Sequence, residues 1–192
     1  MWWHNGVAGS GLRGGMIMRA VAALAIAALA GGCFQPLYAD RSPTGGPVLR
    51  DQLSAVDVLQ IEAPKGTDEA RLAVEIRNAL LFDFTGGGSP ASPTHKLKIS
   101  MTSQRTSIIV DINTSRPDVE NYGINASYSL TELATNRVVV TGQTFARVSY
   151  DIPGQQQRFA RLRGLRDAES RAAKVIADNI MSRLSSYFVA GT

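Results

Sequence analysis

Residues 121–130 read NYGINASYSL: Tyr122, Ile124, Ala126, Tyr128 and Leu130 alternate without a break with Gly123, Asn125, Ser127 and Ser129. Side chains of a strand point by turns to opposite faces, so a period of two predicts a strand with one buried and one polar face. Residues 134–136 make a hairpin into a further strand, from Val138 to about Tyr150. Upstream, Leu97, Ile99 and Met101 alternate with Lys96, Lys98 and Ser100, giving a preceding strand whose outer face is basic. Past Arg105 the apolar residues change parity, to Ile108, Val110 and Ile112. A β-bulge over residues 104–107 accounts for the slip, and residues 113–117 turn the chain.

Helical signals flank these three strands. Val56 and Val58, with Leu59 and Ile61 beside them, form a short first strand closed by Pro64 and Gly66. Thr67 then caps a helix running to about Phe82, with Asp68 and Glu69 where the helix dipole favours acids. Its apolar face is Leu72, Ala73, Ile76, Ala79 and Leu80; Arg71, Glu75 and Asn78 lie outside it. Residues 85–94, TGGGSPASPT, have the composition of a flexible loop. Pro153 and Gly154 stop the sheet, and GQQQRFARLRGLRD leads into a last helix over about 167–187, with the stripe Ala168, Ala172, Val175, Ile176, Ile180 and Leu184. Two amphipathic helices bury their stripes most simply on one face of the sheet. The expected fold is therefore α+β: a two-layer sandwich, two helices on one face of a four-stranded mixed sheet in the order β-α-β-β-β-α. Strands one and two, joined through a helix, are expected to be parallel, and the later hairpins antiparallel.

The front of the chain sets the address. Residues 20–30 are all Ala, Val, Leu or Ile, and this run of 11 is too short for the roughly 20 apolar residues that span a bilayer as a helix. It fits the apolar region of an export signal, with Arg19 before it and small residues after it. Ala30, Gly31 and Gly32 lead directly to Cys33, the single cysteine of the chain. Small residues followed by cysteine form a lipobox, in which the thiol receives a diacylglyceryl group, the leader is cut away and the new amino terminus is acylated. The competing reading, a free or buried cysteine, has no intramolecular disulfide partner to support it. Three acyl chains exceed the two signals that stable anchoring requires.

Residues 1–15 have neither a cationic signal start nor periodicity, so Met16 or Met18 is the expected initiator. The expected organisation is 1–32 leader, 33–52 lipidated cysteine and extended tether, and 53–192 one sandwich domain. Removing residues 1–32 takes away Arg13 and Arg19 and no acid, leaving 18 basic against 16 acidic side chains, so the basic balance of the whole chain says little. In the tether, FQPLY at residues 34–38 is apolar for a solvated spacer; it lies in a lipid interface, packs on a partner, or is a plain linker.

Catalytic constellations are missing. After processing only His95 remains of two histidines, beside Lys96 and Lys98 at the end of the loop, where a solvated surface role is expected. Residues 87–91, GGSPA, lack the second glycine of a nucleophile elbow and follow a helix. No Walker loop, dinucleotide fingerprint, clustered metal ligands or disulfide framework is present in the sequence. The expectation is a binding or assembly protein rather than an enzyme, with no cofactor beyond the covalent diacylglycerol and N-acyl lipid on Cys33.

FQPLY behind the lipid cysteine, INASYSL, the ELATNRVVVTG hairpin, ARVSYDI and DAESRAAKVIADNIMSRLSSYF, in that order, together resemble the LPS-assembly lipoprotein LptE family over nearly the whole mature chain. The family commonly reads GCGFQPLY at the front, whereas this chain reads GGCFQPLY, which shifts the cysteine by one place. The resemblance implies a periplasm-facing outer-membrane lipoprotein seated in the LptD β-barrel. There it would help assemble the barrel, bind lipopolysaccharide and help place it in the outer leaflet. Phe34 rather than aspartate after Cys33 fits release to the outer membrane under the enteric sorting rule. The alternative from another class is an accessory lipoprotein of an envelope ABC-type lipid transport system. Partners are thus LptD, lipopolysaccharide and, through the anchor, the membrane, with no nucleic acid.

Phosphate recognition calls for Lys or Arg donors near apolar surface. The candidates are Lys96 and Lys98 on the outer sheet face, Arg105 at the expected bulge, and Arg116 and Arg137 at or beside the turns flanking the third strand. Each alone also reads as an ordinary solubilising charge. Arg158, Arg161, Arg163 and Arg166, a run with no acid inside it, form a competing basic site.

Overall fold

β1 (Val56–Val58) lies parallel to β2 (His95–Asp111), which pairs antiparallel with β3 (Arg116–Glu132); β3 pairs antiparallel with β4 (Arg137–Asp151). The sheet order follows the chain, β1-β2-β3-β4. The computed structural model describes residues 48–111, 116–152 and 158–190. The leader, Cys33 and FQPLY, and most of the expected 113–117 turn, lie outside them.

The helices are α1 (Leu49–Ser54), α2 (Asp68–Thr85) and α3 (Arg158–Ala190). The expected α+β sandwich is present, with α1 as a short third helix. Leu49 and Leu53 of α1 are buried in the core, so packed structure begins within the stretch read as tether. Thr67 caps α2 as its sequence implies, its Oγ1 accepting from the Ala70 N–H at 3.2 Å. The helix stops at Gly86, whose φ of 61° is the left-handed conformation a side chain resists. Residues 85–94 are pinned rather than loose at their far end: the Ala91 N–H donates to the Ser54 carbonyl at 3.0 Å and the Thr94 N–H to that of Ala55 at 2.9 Å.

Alternation predicts the core correctly on β3, where Tyr122, Ile124, Ala126, Tyr128 and Leu130 are all buried. Across the sheet they meet Leu97, Ile99 and Met101 of β2 and Val140 and Ala146 of β4 on the helix side. The bulge is displaced from its expected place. Pairing runs unshifted from His95↔Glu132 to Ser107↔Glu120, and the register slips only between Ser107 and Val110. The apolar parity changes earlier because Ser103 and Arg105 keep the helix-side positions and make polar contacts there, while Ile108 is 49% exposed.

α3 begins nine residues before the expected start, because Arg, Phe, Ala and Leu in RFARLRGLR are compatible with helix and no proline interrupts them. Gly164, the weak point, passes near β4: a Cβ there would lie 3.6 Å from the Asp151 carbonyl oxygen. The stripe also loses one expected member and gains three. Val175 is 40% exposed, whereas Ala173, Ala177 and Met181 are buried beside Ala168, Ala172, Ile176, Ile180 and Leu184. At about 100° per residue, Val175 lies about 20° outside Ala168, the outermost buried residue of the stripe on that side.

One close approach within the sheet is testable. Tyr128 pairs with Gly142, and a Cβ at 142 would overlap the tyrosine ring. Gly142→Ala is therefore expected to cost about 1–3 kcal/mol, as overpacking does. The readout is a lower urea midpoint at unchanged slope. An unchanged midpoint would show that Tyr128 swings away freely.

Candidate functional site

All the described helices lie on one side of the sheet, and among the described residues nothing packs on the opposite face. The pairing sets out its rows: Lys98, Ser129 and Thr141; Ser100, Ser127 and Gln143; Thr102, Asn125 and Phe145; Gln104, Gly123 and Arg147. Its character is hydroxyl and amide, groups that exchange hydrogen bonds with water or with a polar partner at little cost. Two features stand out from this background. Lys96 and Lys98 are exposed at one end, and on β4 the Arg147 guanidinium sits 4.9 Å from the centre of the Phe145 ring, which is itself 60% exposed. Such an exposed cation–π contact contributes roughly 0.5–1 kcal/mol and holds the cation over an apolar plate. With Ile108 and with Val138, which pairs with Thr131 and is 57% exposed, this face offers cations, hydroxyls and three exposed apolar side chains.

The five predicted cations are not brought together. Lys96 and Lys98 take the open face as expected. Arg105 takes the other: its Nη2 lies 3.2 Å from Asp68 Oδ2 of α2, tying helix to sheet. Arg116 is the first residue of β3, paired with Asp111, rather than a turn residue. Arg137 opens β4 opposite Glu132. It borders an open depression of about 310 Å³ lined by Glu132, Thr135, Val138, Val139 and Tyr187, where the Glu132 carboxylate accepts from Thr135 Oγ1 at 2.6 Å. Arg147 is the cation that sequence reasoning passed over. The signal was available, since residues 141–149 alternate and place Phe145 and Arg147 two apart on the outer side.

On the helix side, the apolar core gives way to a polar network at the end of the sheet near Ser107. Arg71 is paired with Glu75 at 3.5 Å and, more tightly, with Glu169, which is 1% exposed. Ser103 Oγ donates to Glu69 Oε1 at 2.7 Å, and that hydrogen bond holds the Glu69 carboxyl below its ordinary range. Burial pushes the Glu169 carboxyl up against the opposing pull of Arg71. Glu169 Oε1 and the buried Tyr122 hydroxyl have no protein partner among the described residues. These contacts join α2, α3 and the sheet, and give the network a structural role.

Tyr150 gives this network a pH signature. Its hydroxyl donates to Glu120, and burial, then that hydrogen bond, push it up to about 12. A raised folded-state value means the contribution is complete below the ordinary value near 10 and is lost as pH rises through about 12. A rise of that size corresponds to on the order of 3 kcal/mol. Tyr150→Phe is therefore expected to narrow its stability difference from the unaltered protein between pH ~10 and ~12. A difference constant with pH, by denaturant titration, would contradict this.

His95 is no open loop residue. It begins β2, packs edge-on to Phe188 with ring centres 5.3 Å apart, and its Nδ1 is 2.8 Å from Thr94 Oγ1. Burial lowers its pKa. Among the described residues no group of three or more His, Cys, Asp or Glu side chains is placed to hold a metal ion. No described helix is long and apolar enough to cross a membrane.

No family model matches the chain. No curated protein matches it in sequence. The fold is nevertheless found in bacterial lipoproteins. A Caulobacter crescentus protein described as a lipoprotein superposes with a TM-score of 0.56 at 21% identity, over 75% of this chain and 97% of its own. Lipoprotein B of Nitrosomonas europaea gives 0.52 at 14%, over 76% and 94%. Rare lipoprotein B of Shewanella oneidensis gives 0.51 at 10%, over 70% and 96%. At these identities the likeness is one of fold.

Proposed function

We propose that this chain is an outer-membrane lipoprotein, lipidated on Cys33 and facing the periplasm, that works with the LptD β-barrel to place lipopolysaccharide in the outer leaflet. Its role is binding and assembly, without chemistry of its own. The observation that carries this reading is the bare polar sheet face in a fold shared with rare lipoprotein B. The lipobox and the FQPLY, INASYSL and ARVSYDI segments, in that succession along the chain, add the family resemblance.

Lipopolysaccharide presents phosphates, sugar hydroxyls and acyl chains together. Lys96, Lys98 and Arg147 would meet the phosphates, the Ser, Thr and Asn rows the sugars, and Phe145 and Ile108 the chain roots. Extraction in mild detergent followed by pull-down through a tag on the carboxyl terminus tests the proposal. A co-purifying barrel with heat-modifiable migration is the expected result. An inner-membrane ATPase complex in its place would favour the accessory transport lipoprotein.

A further inference from the structure

The first two turns of α3 are built unlike the rest of that helix. Seen down the axis at about 100° per residue, Phe159, Leu162, Arg163 and Arg166 fall within roughly 100° of one another. The opposite side of the same turns is committed to the domain. Arg161 reaches Glu120 at 3.9 Å, the Gly164 backbone passes the Asp151 carbonyl, Leu165 packs on the core and Ala168 is fully buried. The helix cannot roll its outer side inward. That side stays in solvent, with Phe159 80% and Leu162 55% exposed.

We propose that this face, Phe159, Leu162, Arg163 and Arg166, docks on the surface of an anionic lipid bilayer. Charge and apolarity are interleaved here, and this decides between occupants. In a dry protein groove the two guanidinium groups would be stripped of water without a partner, which is costly. Among the described residues neither is within 4.0 Å of a carboxylate. At a lipid headgroup layer both needs are met together: arginine heads stay at phosphate level while Phe159 and Leu162 enter the acyl boundary beneath. Charge complementarity points the same way, since residues 152–166 contain no acid. Two apolar and two cationic side chains make a weak contact. Docking is thus a reversible second hold for a domain kept near the bilayer by other means, favoured by effective concentration. It does not rest on the barrel reading.

The test uses the full chain with Trp2→Phe, Trp3→Phe and Phe159→Trp, which leaves one indole, at position 159. Vesicles of phosphatidylglycerol mixed with phosphatidylcholine are compared with phosphatidylcholine alone, each with and without brominated acyl chains. On anionic vesicles the reporter is expected to shift to the blue and to be quenched at least threefold more than on neutral ones. Arg163→Gln with Arg166→Gln should remove most of that difference. A reporter placed instead by Lys174→Trp, at an exposed site midway along α3, should stay unquenched. Emission indifferent to vesicles, equal quenching on both lipids, or equal quenching at positions 159 and 174 would overturn the proposal. So would a blue shift without lipid that grows with protein concentration, which would place a second copy on this face. The four side chains point outward, so circular dichroism of the variants should match the parent. The lipid comparison needs no charge variant at all.

Discussion

Cys33→Ala is expected to abolish incorporation of labelled palmitate and to release the protein from the membrane. The cysteine follows an apolar run of 11 residues and two glycines, and it has no second cysteine to pair with. Its chemistry is therefore open to lipid transfer. Three chains at about 0.8 kcal/mol per buried methylene dominate every other membrane contact the chain can make, including the amphipathic turns of α3. The effect should accordingly be near complete. Mass measurement of the mature amino terminus checks it: retained lipid in the variant, or a terminus other than Cys33 in the parent, would refute the assignment. Deleting residues 1–15 should leave export unchanged.

The second large effect is expected in the core. Ile176 is fully buried where α3 crosses the sheet. Ile176→Ala should cost about 2–5 kcal/mol, from lost transfer energy and from a cavity that close-packed neighbours cannot fill. Against the 5–15 kcal/mol available to an ordinary domain, that is a large fraction. The domain of residues 46–192 is expected to melt cooperatively by itself, with the variant melting well below it. A broad melt of the unaltered domain would show that a partner completes the core. A loss under about 1 kcal/mol would show that α3 is loosely seated.

These expectations vary in how directly the sequence carries them. On β3 every second residue is apolar for five steps, so alternation settled its buried face and the polar face behind it. The Thr67 cap was equally plain, because capping is local chemistry between a side chain and the next turn. Tertiary contacts account for what was misread. The apolar parity of β2 changes at Ser103 and Arg105 because α2 supplies Glu69 and Asp68 opposite them, so polar residues occupy the inner positions and no bulge is needed there. α1 is too short to show a period, and only its contacts with α2 and α3 fix Leu49 and Leu53 in the core. The early start of α3 lies within the basic run that, by sequence, only leads into the helix. For the site, the lysine pair was visible from alternation, but Arg105 could be assigned to the helix side only once Asp68 was seen beside it.

The bare sheet face is the proposed meeting place of this protein and its partner. A photo-crosslinking amino acid at Ser127, in the middle of that face between Ser100 and Gln143, tests it most directly in cells. A second probe at Lys174, on the solvent side of α3, serves as the comparison. Light is expected to couple position 127, and not 174, to the barrel or to lipopolysaccharide. Coupling from 174 with none from 127 would contradict it.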